Sequence, residues 1–153
     1  MRRFMGPALA LALIACAPGE EMAPEQPAMQ QQEDAVSAPT PEGVAIRVGA
    51  DQAGQTIAVP AGQRFAVELV GVPTAGYVWA AVSVPDFLAA SGEASGPTTE
   101  AQRQPGFTGG NHWEVFVFEA RAAGRGELRF EQRRPWESDE PPSATFAVTI
   151  ETQ

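Results

Sequence analysis

Between residues 44 and 153 apolar side chains recur at every second position in a series of short runs, and no long apolar period of 3.6 residues runs beside them. Val44, Ile46 and Val48 alternate with Ala45 and Arg47, and Ile57 and Val59 follow a Gly-containing turn. Phe65, Val67 and Leu69 alternate with Ala66 and Glu68, and Tyr77, Trp79 and Ala81 share one face of the next run. Leu128 and Phe130 are flanked by Glu127, Arg129 and Glu131, and Phe146, Val148 and Ile150 by Thr145, Ala147, Thr149 and Glu151. A period of two puts every apolar residue on one face of a strand. Such a chain buries its apolar faces by stacking sheets, not by bundling helices. The 15 Gly and 14 Pro supply the turns that short strands need.

Further stretches bring the count to seven or eight. Phe87 and Leu88 begin a short edge strand, and 113–120 is apolar on both faces, as a central strand should be. The expected architecture is all-β: an immunoglobulin-like antiparallel β-sandwich of seven to eight strands. It has no disulfide, because the chain has one Cys. One Cys and one His also leave no set of four for structural zinc. No metal or cofactor is implied. All ten cations are Arg, against 19 acids, for a net charge of −9. That balance argues against a nucleic-acid partner, whose phosphates need basic residues.

The first residues have a separate logic. Arg2 and Arg3 precede an apolar stretch from Phe4 to Ile14, interrupted by Gly6 and Pro7. It falls short of the about 20 residues of a membrane span and fits a secretory signal over 1–15. The ending Leu13-Ile14-Ala15-Cys16 resembles the lipobox of bacterial lipoproteins. That resemblance implies lipidation of Cys16, and so membrane attachment through the lipid. The location implied is the bacterial cell envelope, at an outer membrane facing the periplasm or cell surface in a Gram-negative cell. An ordinary signal peptide that contains a Cys is the alternative.

Residues 16–43 read as a lipid-anchored, disordered, acidic, Pro-rich tether. After Cys16 they hold five prolines and six acids, with no Arg, aromatic, Leu or Ile. So little apolar surface does not offset the entropy of ordering a chain. A short helix near 23–35 is the weaker alternative. The single domain is 44–153, with eight Arg and 13 acids.

With strands at 65–70, 77–82, 87–91, 113–120, 127–132 and 144–151 running alternately up and down, three connectors share one end. The first holds Pro73 and Gly76, which fix a tight shape. The second, 92–111, ends in Gly106-Phe107-Thr108-Gly109-Gly110. The third holds Arg134-Pro135-Trp136-Glu137. Arg and Trp are types enriched at binding hot spots.

Val72-Pro73-Thr74-Ala75-Gly76-Tyr77-Val78-Trp79 is similar to the Asn-Pro-Thr-Thr-Gly-Tyr-x-Trp motif of the chagasin-like inhibitors of papain-family cysteine peptidases. Arg134-Pro135-Trp136 matches the family's Arg-Pro-Trp, and Gly109-Gly110 the end of its Gly-x-Gly-Gly. Val72, Ala75, Phe107 and Gln132 depart from the pattern. The resemblance implies a monomeric, reversible inhibitor that wedges three loops into the cleft of a papain-like cysteine peptidase. It implies inhibitory residues Pro73, Thr74, Ala75, Gly76, Tyr77, Gly109, Gly110, Arg134, Pro135, Trp136 and Glu137. Thr74 would lie over the catalytic thiolate, and Trp136 on an apolar surface of the leaving-group side.

Blander roles stand beside these. Tyr77, Trp79 and Trp113 suit packing, Gly76 the turn alone, and His112 an exposed strand. No Gly-x-Ser-x-Gly elbow occurs, and nothing gathers His112 with a Ser and an acid, so catalytic residues are not expected. A structural or adhesive β-sandwich lipoprotein that binds another protein is the remaining alternative.

Overall fold

The computed structural model describes residues 35–153. The expected signal segment, Cys16 and most of the expected tether lie outside the described residues. Among the described residues eight strands form two four-stranded sheets. They are β1 Val44–Gly49, β2 Thr56–Ala58, β3 Arg64–Gly71 and β4 Val78–Ser83. The rest are β5 Leu88–Pro97, β6 His112–Ala120, β7 Gly124–Arg133 and β8 Ala144–Thr152. One sheet has the order β1-β3-β6-β5, the other β2-β8-β7-β4.

The period-2 faces meet between the sheets. Phe65, Val67, Leu69 and Phe118 from the first sheet pack on Leu128, Phe130, Phe146, Val148 and Ile150 from the second. The Phe130 ring lies at its centre, 4.9 Å from Phe116 and 6.3 Å from Phe146 between centroids. Each fully buried side chain of this size contributes about 1.5–3 kcal/mol, which is how a domain without disulfides holds together.

The expected sandwich is present, with two differences of detail. The sheets are mixed: β1 pairs with β3, and β2 with β8, in parallel. β1 and β2 do run against each other, but a short helical turn, Ala50–Gln52, carries the chain from one sheet to the other between them. Each arm then follows the direction of the strand it meets. The second difference is β5, which continues to Pro97, past the Ser-Gly cluster expected to end it. It pairs with β6 along its length, with a register shift between Ala90 and Gly92. Pairing overrides weak local propensity, and the bulge absorbs the mismatch. The following connector shrinks to 98–111.

The ordered body also begins before residue 44. Residues 35–43, read from the sequence as the end of the tether, form a strap over the outer face of the first sheet. Ala35 bridges Thr99, and the Val36 amide donates to the Thr98 carbonyl at 2.9 Å. The Trp113 indole N–H donates to the Val36 carbonyl at 2.7 Å. Ala38 is buried with Ala66, Val115 and Val117. At the far end Arg64 Nη1 donates to the Glu42 carbonyl at 3.2 Å. The strap explains why β6 is apolar on both faces: one faces the core and the other the strap. Compositional reasoning missed it because the strap packs through main chain, Ala and Pro rather than large apolar side chains.

Candidate functional site

Register shows which loops share an end. Gly71, the last residue of β3, opposes His112, the first of β6, and His112 opposes Pro97, the last of β5. In the other sheet Val78, the first of β4, opposes Arg133, the last of β7, and Gln132 opposes Ala144, the first of β8. Loops 72–77, 98–111 and 134–143 therefore leave one end of the sandwich, as the alternating directions predicted.

The first loop crosses from sheet to sheet and is closed at its neck. The Val72 amide donates to the Tyr77 carbonyl at 3.0 Å, and the Tyr77 amide to the Val72 carbonyl at 3.2 Å. Between them Pro73–Ala75 is one turn of 3-10 helix, with Pro at its start. Gly76 ends it at φ 82° and donates its amide to the Pro73 carbonyl at 2.9 Å. Pro pre-sets the turn, and only Gly takes the left-handed end without strain. Thr74 and Ala75 form the exposed apex.

The third loop docks on the first. Arg134 Nε donates to the Ala75 carbonyl at 2.9 Å, and Nη1 to Glu137 Oε1 at 3.0 Å. Its guanidinium carbon lies 4.6 Å from the centroid of the half-buried Tyr77 ring. Arg133 Nη1 donates to the carbonyls of Ser138 and Glu140, which gathers the loop behind it. Trp136 lies against Gly76, where a Cβ would overlap the indole, yet it remains 70 % exposed. Gly76 thus serves more than its turn: it also makes room for this ring. Arg134 and Glu137, expected among the inhibitory residues, are engaged with the tip itself.

The second loop has its own hub. Gln102 Oε1 accepts the Thr98 amide at 2.7 Å and the Thr99 amide at 3.0 Å. Its Nε2 donates to the Asn111 carbonyl at 2.7 Å, so one side chain ties the loop's two ends. Gly110 has φ 96°, and a Cβ there would come within 2.5 Å of Gln102 Nε2. Gly109 and Gly110 are exposed.

Structure therefore brings Pro73, Thr74, Ala75, Gly76, Tyr77, Arg134, Trp136 and Glu137 into one surface, with Pro135 exposed beside them. Gly109 and Gly110 lie on a neighbouring loop at the same end. Phe107, a departure from the expected motif, is 45 % exposed there. It adds a second large apolar group to the tip, which its mismatch with a Gly position had hidden. Gln132 is buried and donates to the Val70 carbonyl at 3.4 Å, so it braces the base. Val72 contributes through its backbone. Trp79 braces too, its indole N–H donating to the Val70 carbonyl at 2.9 Å. His112 is half-buried on its strand. Among the described residues no group of three or more His, Cys, Asp or Glu could hold a metal.

This architecture is similar to that of the cysteine protease inhibitor EhICP2 from Entamoeba histolytica. The TM-score is 0.60 at 16% identity, covering 72% of this chain and all of that one. Amebosin aligns at a TM-score of 0.49 and 24% identity, over 71% of this chain and 97% of its own. PbICP-C, solved in complex with falcipain-2, aligns at 0.46 and 14%, over 71% of this chain and all of its own. No curated protein matches the sequence. The sequence model described as chagasin family peptidase inhibitor matches residues 58–150, more than half of the chain. The family consists of peptidase inhibitors, not enzymes, and this immunoglobulin-like β-sandwich belongs to the chagasin family.

Proposed function

We propose that this chain reversibly inhibits papain-family cysteine peptidases by filling the active-site cleft with its three-loop end. The observation that carries this is Trp136, held on Gly76 beside the exposed apex Thr74 and still 70 % exposed. A large indole left in water at a braced tip contributes no core packing and is available to a partner.

Thr74 enters nearest the catalytic thiolate. A peptidase acts on an extended segment whose carbonyl is aligned for attack. Here that place is taken by a 3-10 turn closed by the Val72–Tyr77 hydrogen bonds. Attack needs near-contact distance and orbital alignment together, so a turn held in the wrong geometry binds without being cleaved. Gly109 and Gly110 allow close backbone approach along the channel. Trp136 and Phe107 cover apolar surface to either side. Loops already tied by Arg134 and Gln102 lose little entropy on binding, which favours affinity over an interface of about 800 Å² per partner. The inhibitor acts as a monomer.

Titrating papain with residues 17–153 tests this. Micromolar protein should abolish hydrolysis reversibly, and undiminished activity would sink the reading for that peptidase. We further infer that 1–15 is a lipoprotein signal and that Cys16 carries the lipid, anchoring the inhibitor in the bacterial envelope. Radiolabelled palmitate should enter the full chain and not Cys16→Ser.

A further inference from the structure

Among the described residues β4 and β5 are edge strands on one side of the sandwich, and a groove of about 540 Å³ lies between them. Its walls include Trp79, Phe116 and two acids, Glu93 and Glu114. Glu93 opposes Phe116 and Ser95 opposes Glu114, so by strand alternation both carboxylates point inward. Glu93 is exposed, whereas Glu114 is half-buried, where a charge is costly unless it is paired or fully hydrogen-bonded.

Glu114 reaches across from the first sheet, and its Oε2 accepts the backbone N–H of Trp79 at 2.9 Å. Among the described residues its Oε1 is buried without a hydrogen-bond partner. That oxygen lies against Gly71, where a Cβ would overlap it. Gly71 is the last residue before the first loop's neck, and Trp79 follows soon after it. One carboxyl on β6 therefore touches both strands that carry the loop, although β6 borders neither of the loop's ends in sequence.

We propose that Glu114 is a positioning residue for the 72–77 loop, acting through Trp79 and Gly71, and that it makes the loop's rigidity depend on pH. The ionised form leaves a charged oxygen in a buried place with no donor. The protonated form removes that charge and keeps an oxygen for the Trp79 amide. Burial, followed by Glu93 on β5, pushes the carboxyl up, while the Trp79 N–H and then His112 on β6 pull it down; the net direction is upward. Gly71 and Leu69 on β3 and the Trp79 backbone on β4 bring no ionisable group to it. A carboxyl raised in the folded state contributes stability that is fully present below its unfolded value. That contribution is lost as pH rises through the folded value. The loop is thus firmest in acid.

This inference rests on the inhibitor reading for its effect on a peptidase, but not for its effect on the loop. Amide hydrogen exchange of 72–79, corrected for intrinsic rates, and papain inhibition are measured at pH 4 and 7.5. Residues 17–153, Glu114→Gln and Glu114→Ala are compared. The parent should exchange at least threefold faster at pH 7.5 and inhibit about fivefold less well. Glu114→Gln, uncharged with an oxygen for Trp79, should hold the acid-like behaviour at both pH values. Glu114→Ala should lose protection at both. A parent and Glu114→Gln with the same pH profile overturn the proposal. So does undiminished loop protection in Glu114→Ala; if that variant does not fold, Glu114→Gln decides. Absence of papain inhibition by the parent would defeat the inhibitor reading, while exchange would still decide the role of Glu114.

Discussion

Trp136 is held from one side only. Its indole lies on Gly76, and most of its surface meets solvent. Removing an exposed side chain away from the core costs little stability, typically within 0.5 kcal/mol. Trp136→Ala should therefore keep the parent's urea midpoint yet weaken papain inhibition at least tenfold, roughly 1.4 kcal/mol of binding. Gly76→Ala should behave differently. It meets the left-handed backbone, worth about 1–2 kcal/mol, and overlaps the indole as well. Urea titration should show that loss of stability together with a loss of inhibition. Equal midpoints for Gly76→Ala and the parent would show that the loop adapts, and that Gly76 does not set its shape.

Among the elements, the loops are braced by particular side chains as well as by short 3-10 turns. Gln102 spans the second loop by accepting from Thr98 and Thr99 and donating to Asn111. Gln102→Ala should speed amide exchange at Thr98 and Thr99 by at least tenfold and leave central β6 amides unchanged, because exchange reports local opening separately from global unfolding. Uniform acceleration across β6 would mean that the loop and sheet open as one unit. The edge strand β5 shows the same dependence on partners. Its Ser, Gly and Ala have little strand propensity of their own, and β6 supplies the pairing that holds them.

At the scale of the molecule, the strap runs along the first sheet from the loop-bearing end, so the chain enters the domain beside the second loop. Its Ala38 seals Ala66, Val115 and Val117. Ala38→Asp puts a carboxylate there and should lower stability by about 1–3 kcal/mol. Tryptophan emission should shift to the red as Trp113 loses its cover. An unchanged spectrum and midpoint would show that the strap is dispensable. If Cys16 is acylated, residues 17–34 are the only chain between lipid and domain. At full extension they span about 60 Å, and they join the domain at its three-loop end.

The sandwich was legible because period-2 patterning is local: each apolar residue declares its face whatever the rest of the chain does. The three-loop end followed from alternating strand directions, and Pro73, Gly76 and Trp136 stood out because turns and exposed aromatics have local chemistry. Other features depended on residues far apart in sequence. The parallel pairing of β1 and β2 came from where a short turn sent the chain. The length of β5 came from β6, and the strap came from a sheet face that needed covering. Phe107 looked like a failed glycine until its exposure placed it at the tip. Glu114, in a strand of apolar neighbours, carried no signal of its own. Its role exists only because folding brings Gly71 and the Trp79 amide from two different sheets against one carboxyl, and that proximity is a tertiary quantity.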